Sequence, residues 1–158
     1  MVHGRLQKLF GVGPTGAVIS VILLAIAIRI DRALGHPEMF GLRPLTLVIG
    51  VLMICIGLAL LFWTMHTLRN WWTKDQLCTG GPFRWLRHPM YAAWITLVSS
   101  GIAFYHNSWV LLAWAVALHP IWHYLVIREE KIMLECFGDE YRKYAARTGR
   151  FVPRLRIF

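Results

Sequence analysis

Two short polar clusters interrupt a chain that is otherwise hydrophobic. The first is GGPFRWLRHPMY, residues 80–91, where His88 and Tyr91 offer hydrogen-bond donors beside two glycines. Glycine lets a backbone approach a ligand without an intervening side chain, and proline stiffens the loop. The second cluster is the adjacent acids Glu129 and Glu130. Donors facing acids suit a ligand that carries both a carboxylate and an ammonium, as an amino acid does.

The paired acids have two interpretations. Carboxylates close to lipid are costly and call for a reason. Their neighbours Arg128 and Lys131 could neutralise them, or at least one acid could face inward and bind a cationic ligand. The residues alone leave both interpretations open.

His119 and His123 are four residues apart and therefore share a helix face, with Glu130 seven residues further along it. Metal ligation is possible at this spacing, but Pro120 is expected to disturb the helix and a third histidine is not close in sequence. We predict no metal site. Interfacial hydrogen bonds, or a polar pocket open to the cytoplasm, are the other interpretations.

The residue types and spacing of Gly11-x-Gly13-x-x-Gly16 match a dinucleotide-binding fingerprint. That motif requires a preceding strand within a βαβ unit, whereas here it precedes a hydrophobic segment. We interpret it as a flexible lead into the first helix.

The elements that must position these clusters are membrane helices. Hydrophobic residues make up 57% of the 158 residues and charged residues only 16%, against about 25% charged in soluble domains. Hydrophobic runs approach the roughly 20 residues that cross a bilayer. They predict an all-α, polytopic membrane protein with four spans at 12–32, 43–66, 90–105 and 108–128. The turn at 105–108 is so short that spans three and four form an antiparallel hairpin, which brings both polar clusters to one membrane surface.

Charge predicts the orientation. Of the 17 Lys and Arg residues, 14 lie in the segments that four spans put on one side, which include Arg5, Lys8, Lys74 and Arg156. The positive-inside rule makes that side, with both termini, cytoplasmic. The net charge of +9 suits anionic lipid head groups, so we predict a lipid bilayer as partner and no nucleic acid.

The polar half of the chain is predicted to be 67–158, after two N-terminal membrane helices in 1–66. Residues 129–146 have the pattern of an amphipathic interfacial helix, broken at 137–139. Gly149 and Pro153 are expected to end it. These C-terminal helices would cap a cytoplasmic pocket, and a second copy of the chain could pack against the first two spans.

The second half of the chain resembles the integral membrane methyltransferases, the superfamily of isoprenylcysteine carboxyl methyltransferases and phospholipid methyltransferases. The resemblance covers about residues 77–154. It is carried by Gly81-Pro82-Phe83-Arg84-x-x-Arg87-His88-Pro89-x-Tyr91, Glu129-Glu130, Phe137-Gly138-x-x-Tyr141-x-x-Tyr144 and Arg150-Phe151-Val152-Pro153.

This resemblance implies S-adenosylmethionine as methyl donor and a lipophilic or prenylated acceptor that arrives from the bilayer, with a carboxylate or thiol as the accepting group. The resemblance implies catalytic roles for Arg150 and Glu130. Arg150 would orient an anionic acceptor. The residues implied in cofactor binding are Arg87, His88, Pro89, Tyr91, Glu129, Glu130, Tyr141 and Tyr144.

Three positions depart from the superfamily pattern. Ala93 stands where glycine is common, Thr148 stands where an apolar residue is usual, and the GxG element of phospholipid N-methyltransferases is missing near Gly101. The last point argues mildly against a phospholipid N-methyltransferase. Two alternatives stay open, an NADPH-dependent sterol-type reductase and a non-catalytic membrane scaffold or binder.

Overall fold

The computed structural model describes residues 12–71 and 76–154, and every regular element in these ranges is helical. The helices are α1 (Val12–Ala33), α2 (Arg43–Trp71), a 3₁₀ turn (Gly81–Arg84), α3 (Pro89–Ala92), a π segment (Ala93–Val98), α4 (Ser99–His106) and α5 (Trp109–Arg147). The all-α prediction is confirmed. Five residues used in the sequence interpretation lie outside the described ranges: Arg5, Lys8, Gly11, Lys74 and Arg156.

Three helices, α1, α2 and α5, are long and apolar enough to cross a membrane. The large hydrophobic side chains of α1 and α2, such as Ile22 and Leu52, are mostly exposed. Exposed apolar surface of this extent is expected where lipid takes the place of water. Because α2 continues without a break to Trp71, the boundary predicted at residue 66 falls inside a helix, and the two-part division stays a prediction.

The predicted third span is helical over 89–106 but consists of three consecutive pieces. Pro89 begins α3, where a missing N–H costs nothing. The π segment follows, and the Ser99 hydroxyl donates to the Trp94 carbonyl at 2.9 Å. Such π turns are rare and concentrate at functional sites. A span count of four stays a prediction.

The hairpin turn between α4 and α5 is tight, as its sequence predicts. Asn107 adopts a left-handed conformation, and the Ser108 hydroxyl caps α5 by accepting from the amide of Leu111. The loop between α1 and α2 lies against this turn, because the Met39 amide donates to the Asn107 carbonyl at 3.0 Å. Asp31, buried at the end of α1, accepts from Ser108 and from His36.

Helix α2 packs against the hairpin through glycines. A Cβ atom at Gly50 would lie 2.4 Å from the Tyr105 amide nitrogen, and one at Gly101 would lie 2.9 Å from the Gly50 carbonyl oxygen. Small residues let membrane helices approach until their backbones touch. Helix α1 packs on the other side, where Trp122 donates to the Ser20 hydroxyl at 3.0 Å.

Helix α5 runs through Pro120 and bends instead at Gly138, the one residue inside it with non-helical dihedrals (φ 51°, ψ −125°). The break predicted at 137–139 is therefore confirmed, whereas the disturbance expected at Pro120 is wrong. Membrane helices tolerate proline where neighbouring groups satisfy the freed carbonyl. The helix ends at Arg147, and the following strand-like segment bridges Gly149 to Leu86 in parallel.

Candidate functional site

A cavity of about 550 Å³ lies where α1, α2, α3 and α5 meet the segment 76–88. Its polar end is formed by Arg87, His88, Tyr91 and Glu129, and its walls are mainly apolar and aromatic. Pockets of 300–1,000 Å³ with apolar walls and a few convergent polar groups are typical of small-molecule and cofactor sites. The cavity thus joins the two polar clusters that the sequence places far apart.

Glu129 is the acid that faces this cavity. Its side chain is only 7% exposed, and Oε1 accepts a hydrogen bond of 2.8 Å from the Tyr91 hydroxyl. The His88 ring stacks on Tyr91 with 5.6 Å between ring centroids, and its Nδ1 lies 3.5 Å from Glu129 Oε2. A buried carboxylate with one neutral donor and a weak second contact retains acceptor capacity for a cationic ligand.

Glu130 has a different environment. Arg87 Nε lies 3.1 Å from its Oε1, and the Arg150 guanidinium binds both carboxylate oxygens. Neutralisation by Arg128 and Lys131 is therefore the wrong interpretation for Glu130. Neither Glu130 nor Arg150 belongs to the described residues that line the cavity.

Two buried nitrogen atoms near the cavity, Arg87 Nε and His88 Nε2, have no hydrogen-bond partner among the described residues. His88 Nε2 approaches Glu130 Oε1 at 3.4 Å without the geometry of a hydrogen bond. Burial lowers the pKa of the His88 ring, and the nearby Glu130 opposes this shift. The ring is therefore neutral at physiological pH. Both atoms approach the same oxygen of Glu130, so they help to hold that acid.

The two tyrosines of the C-terminal helix also line the cavity. The Tyr144 hydroxyl contacts the Phe83 carbonyl at 2.9 Å and the Leu86 carbonyl at 3.2 Å, which fixes the 3₁₀ turn to α5. Tyr141 is buried beside it, with 6.1 Å between the ring centroids. Both residues therefore lie where the resemblance implies contact with a cofactor.

The glycine loop is held by its own hydrogen bonds and by packing against α2. The amides of Phe83 and Leu86 donate to carbonyls within the same turn. Gly81 has φ +53°, and a Cβ atom there would lie 2.6 Å from the Thr67 hydroxyl. Glycine is thus required at this position by a left-handed backbone and by packing against α2 rather than by a ligand.

The C-terminal segment is attached to the site loop. The amides of Arg87 and His88 donate to the carbonyls of Gly149 and Arg150. Phe151 is buried against the His88 ring, and the Arg150 guanidinium lies 2.7 Å from Nε2 of His123. Arg150 therefore holds Glu130 and the C-terminal segment in place.

The histidine pair faces this segment as well. His119 contacts the Phe151 ring edge-on and His123 contacts Arg150. The described part of the chain contains no group of three or more His, Cys, Asp or Glu side chains that could hold a metal.

Sequence reasoning missed the apolar cavity wall. Met133 and Phe137 line the cavity, whereas the sequence placed them in an amphipathic interfacial helix and not among the site residues. Residues 129, 133 and 137 recur at intervals of four on one face of α5 before the bend at Gly138, and Tyr141 lines the cavity beyond the bend. That spacing could have revealed the wall. Trp94 and Trp122, which also line the cavity, have no comparable signal.

Comparisons with known proteins give two relatives and a family. The chain is 28% identical over 126 residues to the cobalt-zinc-cadmium resistance protein CzcN of Cupriavidus metallidurans, covering 78% of this chain and 57% of that protein. It is 27% identical over 158 residues to the nickel-cobalt-cadmium resistance protein NccN of Alcaligenes xylosoxydans xylosoxydans, covering 93% of this chain and 66% of that protein. The chain thus spans less than two thirds of the length of either relative. No solved structure matches it.

The phospholipid methyltransferase family model matches residues 45–140, more than half of the chain. The match contains nearly all of α2 and the hairpin with its two polar clusters, but not α1, Tyr141 or Tyr144, which also line the cavity. On this match the chain belongs to the phospholipid methyltransferase family.

Proposed function

We propose that the protein is an S-adenosylmethionine-dependent methyltransferase whose acceptor is lipophilic and presents a carboxylate or a thiol. The observation that carries the proposal is the buried Glu129 carboxylate at the polar end of a cavity with apolar walls. An amino-acid-like cofactor with a large apolar part would use an acid, a nearby guanidinium and an apolar wall within one pocket.

The donor set fits S-adenosylmethionine. Glu129 would bind its ammonium, and the Arg87 guanidinium, which lines the same polar end, would attract its carboxylate. Tyr141 and Phe83 supply aromatic walls suited to an adenine. When bound, S-adenosylmethionine supplies an electrophilic methyl group on a sulfonium.

The contribution of this chain is then positioning and exclusion of water. The C-terminal segment and Tyr144 hold the loop 81–88 against α5, which closes the polar end of the cavity. A carboxylate or thiolate acceptor is already nucleophilic, so its methylation requires no strong base. A neutral His88 beside Glu129 is compatible with that chemistry.

The wall formed by α1 and α2 supports a lipophilic acceptor. Ala17 and Val21 of α1 and Leu61 of α2 line the cavity while belonging to helices that expose apolar surface. An acceptor with a hydrocarbon chain could therefore occupy the cavity from the lipid side.

The two relatives are named for metal resistance, and those names designate no methyl acceptor. The acceptor screen should therefore be broad. It should include a prenylated cysteine analogue, a hydrophobic thiol, an isoprenoid acid and a phospholipid amine.

The test is calorimetric binding of S-adenosylhomocysteine to detergent-purified protein, with NADPH titrated in parallel. We expect micromolar binding of the first ligand and none of the second, followed by transfer of a labelled methyl group to one member of the screen. Binding of NADPH alone would replace the proposal with a reductase. Binding of S-adenosylhomocysteine without transfer to any acceptor would favour the non-catalytic binder.

A further inference from the structure

A second cavity, of about 370 Å³, lies on the other side of Tyr144 from the first. Tyr144 and Leu77 line both cavities, and the Tyr144 hydroxyl is fixed to the carbonyls of the 3₁₀ turn. More of the side chains that line the second cavity are charged than in the first, although their apolar stems form much of its wall. We call it the basic pocket and define it by Arg84, Lys143, Arg147, Glu140 and Thr79.

The charge of the basic pocket follows from helical spacing. Glu140, Lys143 and Arg147 lie at i, i+3 and i+7 and share one face of α5. That face meets Arg84, the last residue of the 3₁₀ turn. Three cations therefore surround one space with a single acid.

The three cations of the basic pocket are exposed side chains. Within residues 12–71 and 76–154, Arg84, Lys143 and Arg147 make no ion pair with a carboxylate. Other arginines of this region differ, since Arg87 contacts Glu130 and Arg142 contacts Asp139. Converging like charges repel one another unless an anion lies between them.

We propose that the basic pocket binds a phosphate group. Arginine presents a fork of donors that matches phosphate oxygens, lysine adds a point charge, and the Thr79 hydroxyl can donate one more hydrogen bond. The pocket lies at the predicted cytoplasmic boundary of the membrane, where phospholipid head groups are abundant. A soluble phosphate compound has the same chemistry and is the other source.

This inference does not rest on the proposed methyltransferase activity, because the basic pocket and the first cavity share no charged side chain. S-Adenosylmethionine carries no phosphate, so a methyl donor in the first cavity leaves the basic pocket without a ligand.

The test uses detergent-purified full-length protein and native mass spectrometry. Phosphatidylglycerol, an anionic phosphodiester, is compared with phosphatidylcholine, and inorganic phosphate and pyrophosphate are titrated by calorimetry. We expect one preferentially retained phosphatidylglycerol. The Arg84→Gln/Arg147→Gln double variant should weaken retention roughly tenfold, as expected for loss of charge-assisted hydrogen bonds.

The matched control is Arg128→Gln/Arg142→Gln, which removes the same charge from exposed positions outside the pocket. It should change retention less than about twofold. The Glu140→Gln variant gives the opposite sign, since removing the one acid should strengthen binding.

Equal losses in the two double variants would overturn the site and leave only diffuse surface charge. Absence of both lipid preference and phosphate binding would overturn it as well. Phosphate or pyrophosphate binding that the pocket variant abolishes, with no lipid preference, would support the site and assign the ligand to the soluble source. The melting temperature of each variant shows whether the protein is folded.

Discussion

At the scale of residues, the site depends on two adjacent acids with different tasks. Glu129 points to the cavity and is held by one tyrosine, whereas Glu130 is held by Arg87 and Arg150. Successive helical residues differ by about 100° in direction, so adjacent acids cannot both face one pocket. The same amide substitution should therefore have two different consequences.

The Glu129→Gln substitution should weaken binding of S-adenosylhomocysteine by about tenfold or more, because a charged hydrogen bond to the ammonium is lost. The melting temperature should change little. The Glu130→Gln substitution should instead lower the melting temperature, because it leaves Arg87 and Arg150 without their shared carboxylate. Calorimetry and thermal unfolding in detergent separate the two effects.

Glu135→Gln is the matched control, since Glu135 is exposed on the same helix. A second control is the ligand 5′-methylthioadenosine, which lacks both the ammonium and the carboxylate. It should bind the wild-type protein and the Glu129→Gln variant equally. If Glu130→Gln abolished ligand binding at an unchanged melting temperature while Glu129→Gln did not, the two assignments would be reversed.

The sequence could predict that His88 and Tyr91 lie near the acid pair. A four-residue turn forces spans three and four into a hairpin, and the two clusters lie at the open end of that hairpin. The sequence could not distinguish Glu129 from Glu130, since that choice depends on the rotation of α5, which is fixed by long-range packing such as Trp122 on Ser20. The motif resemblance implied that Arg150 orients the methyl acceptor. The motif gives residue order but not the ion pair with Glu130.

At the scale of elements, the cavity depends on how closely α2 approaches the hairpin. The contact is made at Gly50 and Gly57, which lie two turns apart on the same face of α2. Gly101 of the hairpin lies opposite Gly50. Farther along, α2 contributes Leu61 and Leu68 to the cavity wall. Packing at the glycines therefore sets the position of a wall that lies about one to three turns beyond Gly57.

The Gly50→Ala substitution should separate α2 from the hairpin, because the added Cβ atom would lie 2.4 Å from the backbone nitrogen of Tyr105. Backbone atoms cannot move aside as a flexible side chain can, so overpacking should cost about 1–3 kcal/mol of unfolding free energy. Affinity for S-adenosylhomocysteine should fall with it, since the cavity wall moves. Thermal unfolding in detergent and calorimetry measure the two effects.

Gly41→Ala is the control, because a Cβ atom at Gly41 meets nothing within 4 Å. It should change stability by less than about 0.5 kcal/mol. Equal melting temperatures for the two variants would show that α2 and the hairpin do not touch at Gly50.

At the scale of the whole molecule, two polar layers lie at opposite ends of the helices. One contains the cavity, the basic pocket and the C-terminal segment. The other contains the loop between α1 and α2, which contacts the hairpin turn through Met39, Phe40 and Asn107. Because the segment 89–106 begins in the first layer and ends in the second, it covers the same distance as α1. This arrangement supports a fourth crossing, although 89–106 is not a single regular helix.

Topology can be tested with single cysteines in a background where Cys55, Cys78 and Cys136 are replaced by serine. Gly41→Cys and His106→Cys would report the loop and the hairpin turn, and Arg142→Cys would report the opposite layer. The background must first retain binding of S-adenosylhomocysteine. A membrane-impermeant maleimide is then applied to intact cells before and after permeabilisation.

Four crossings with cytoplasmic termini predict that Gly41→Cys and His106→Cys are labelled in intact cells and that Arg142→Cys is labelled only after permeabilisation. The His106→Cys variant discriminates the span count. If 89–106 did not cross, His106→Cys would be protected and Arg142→Cys would be labelled, because α5 would then run outward. Protection of both Gly41→Cys and His106→Cys together with labelling of Arg142→Cys would keep four crossings and invert the orientation. The positive-inside rule makes inversion unfavourable, since it would place 14 of 17 basic residues outside.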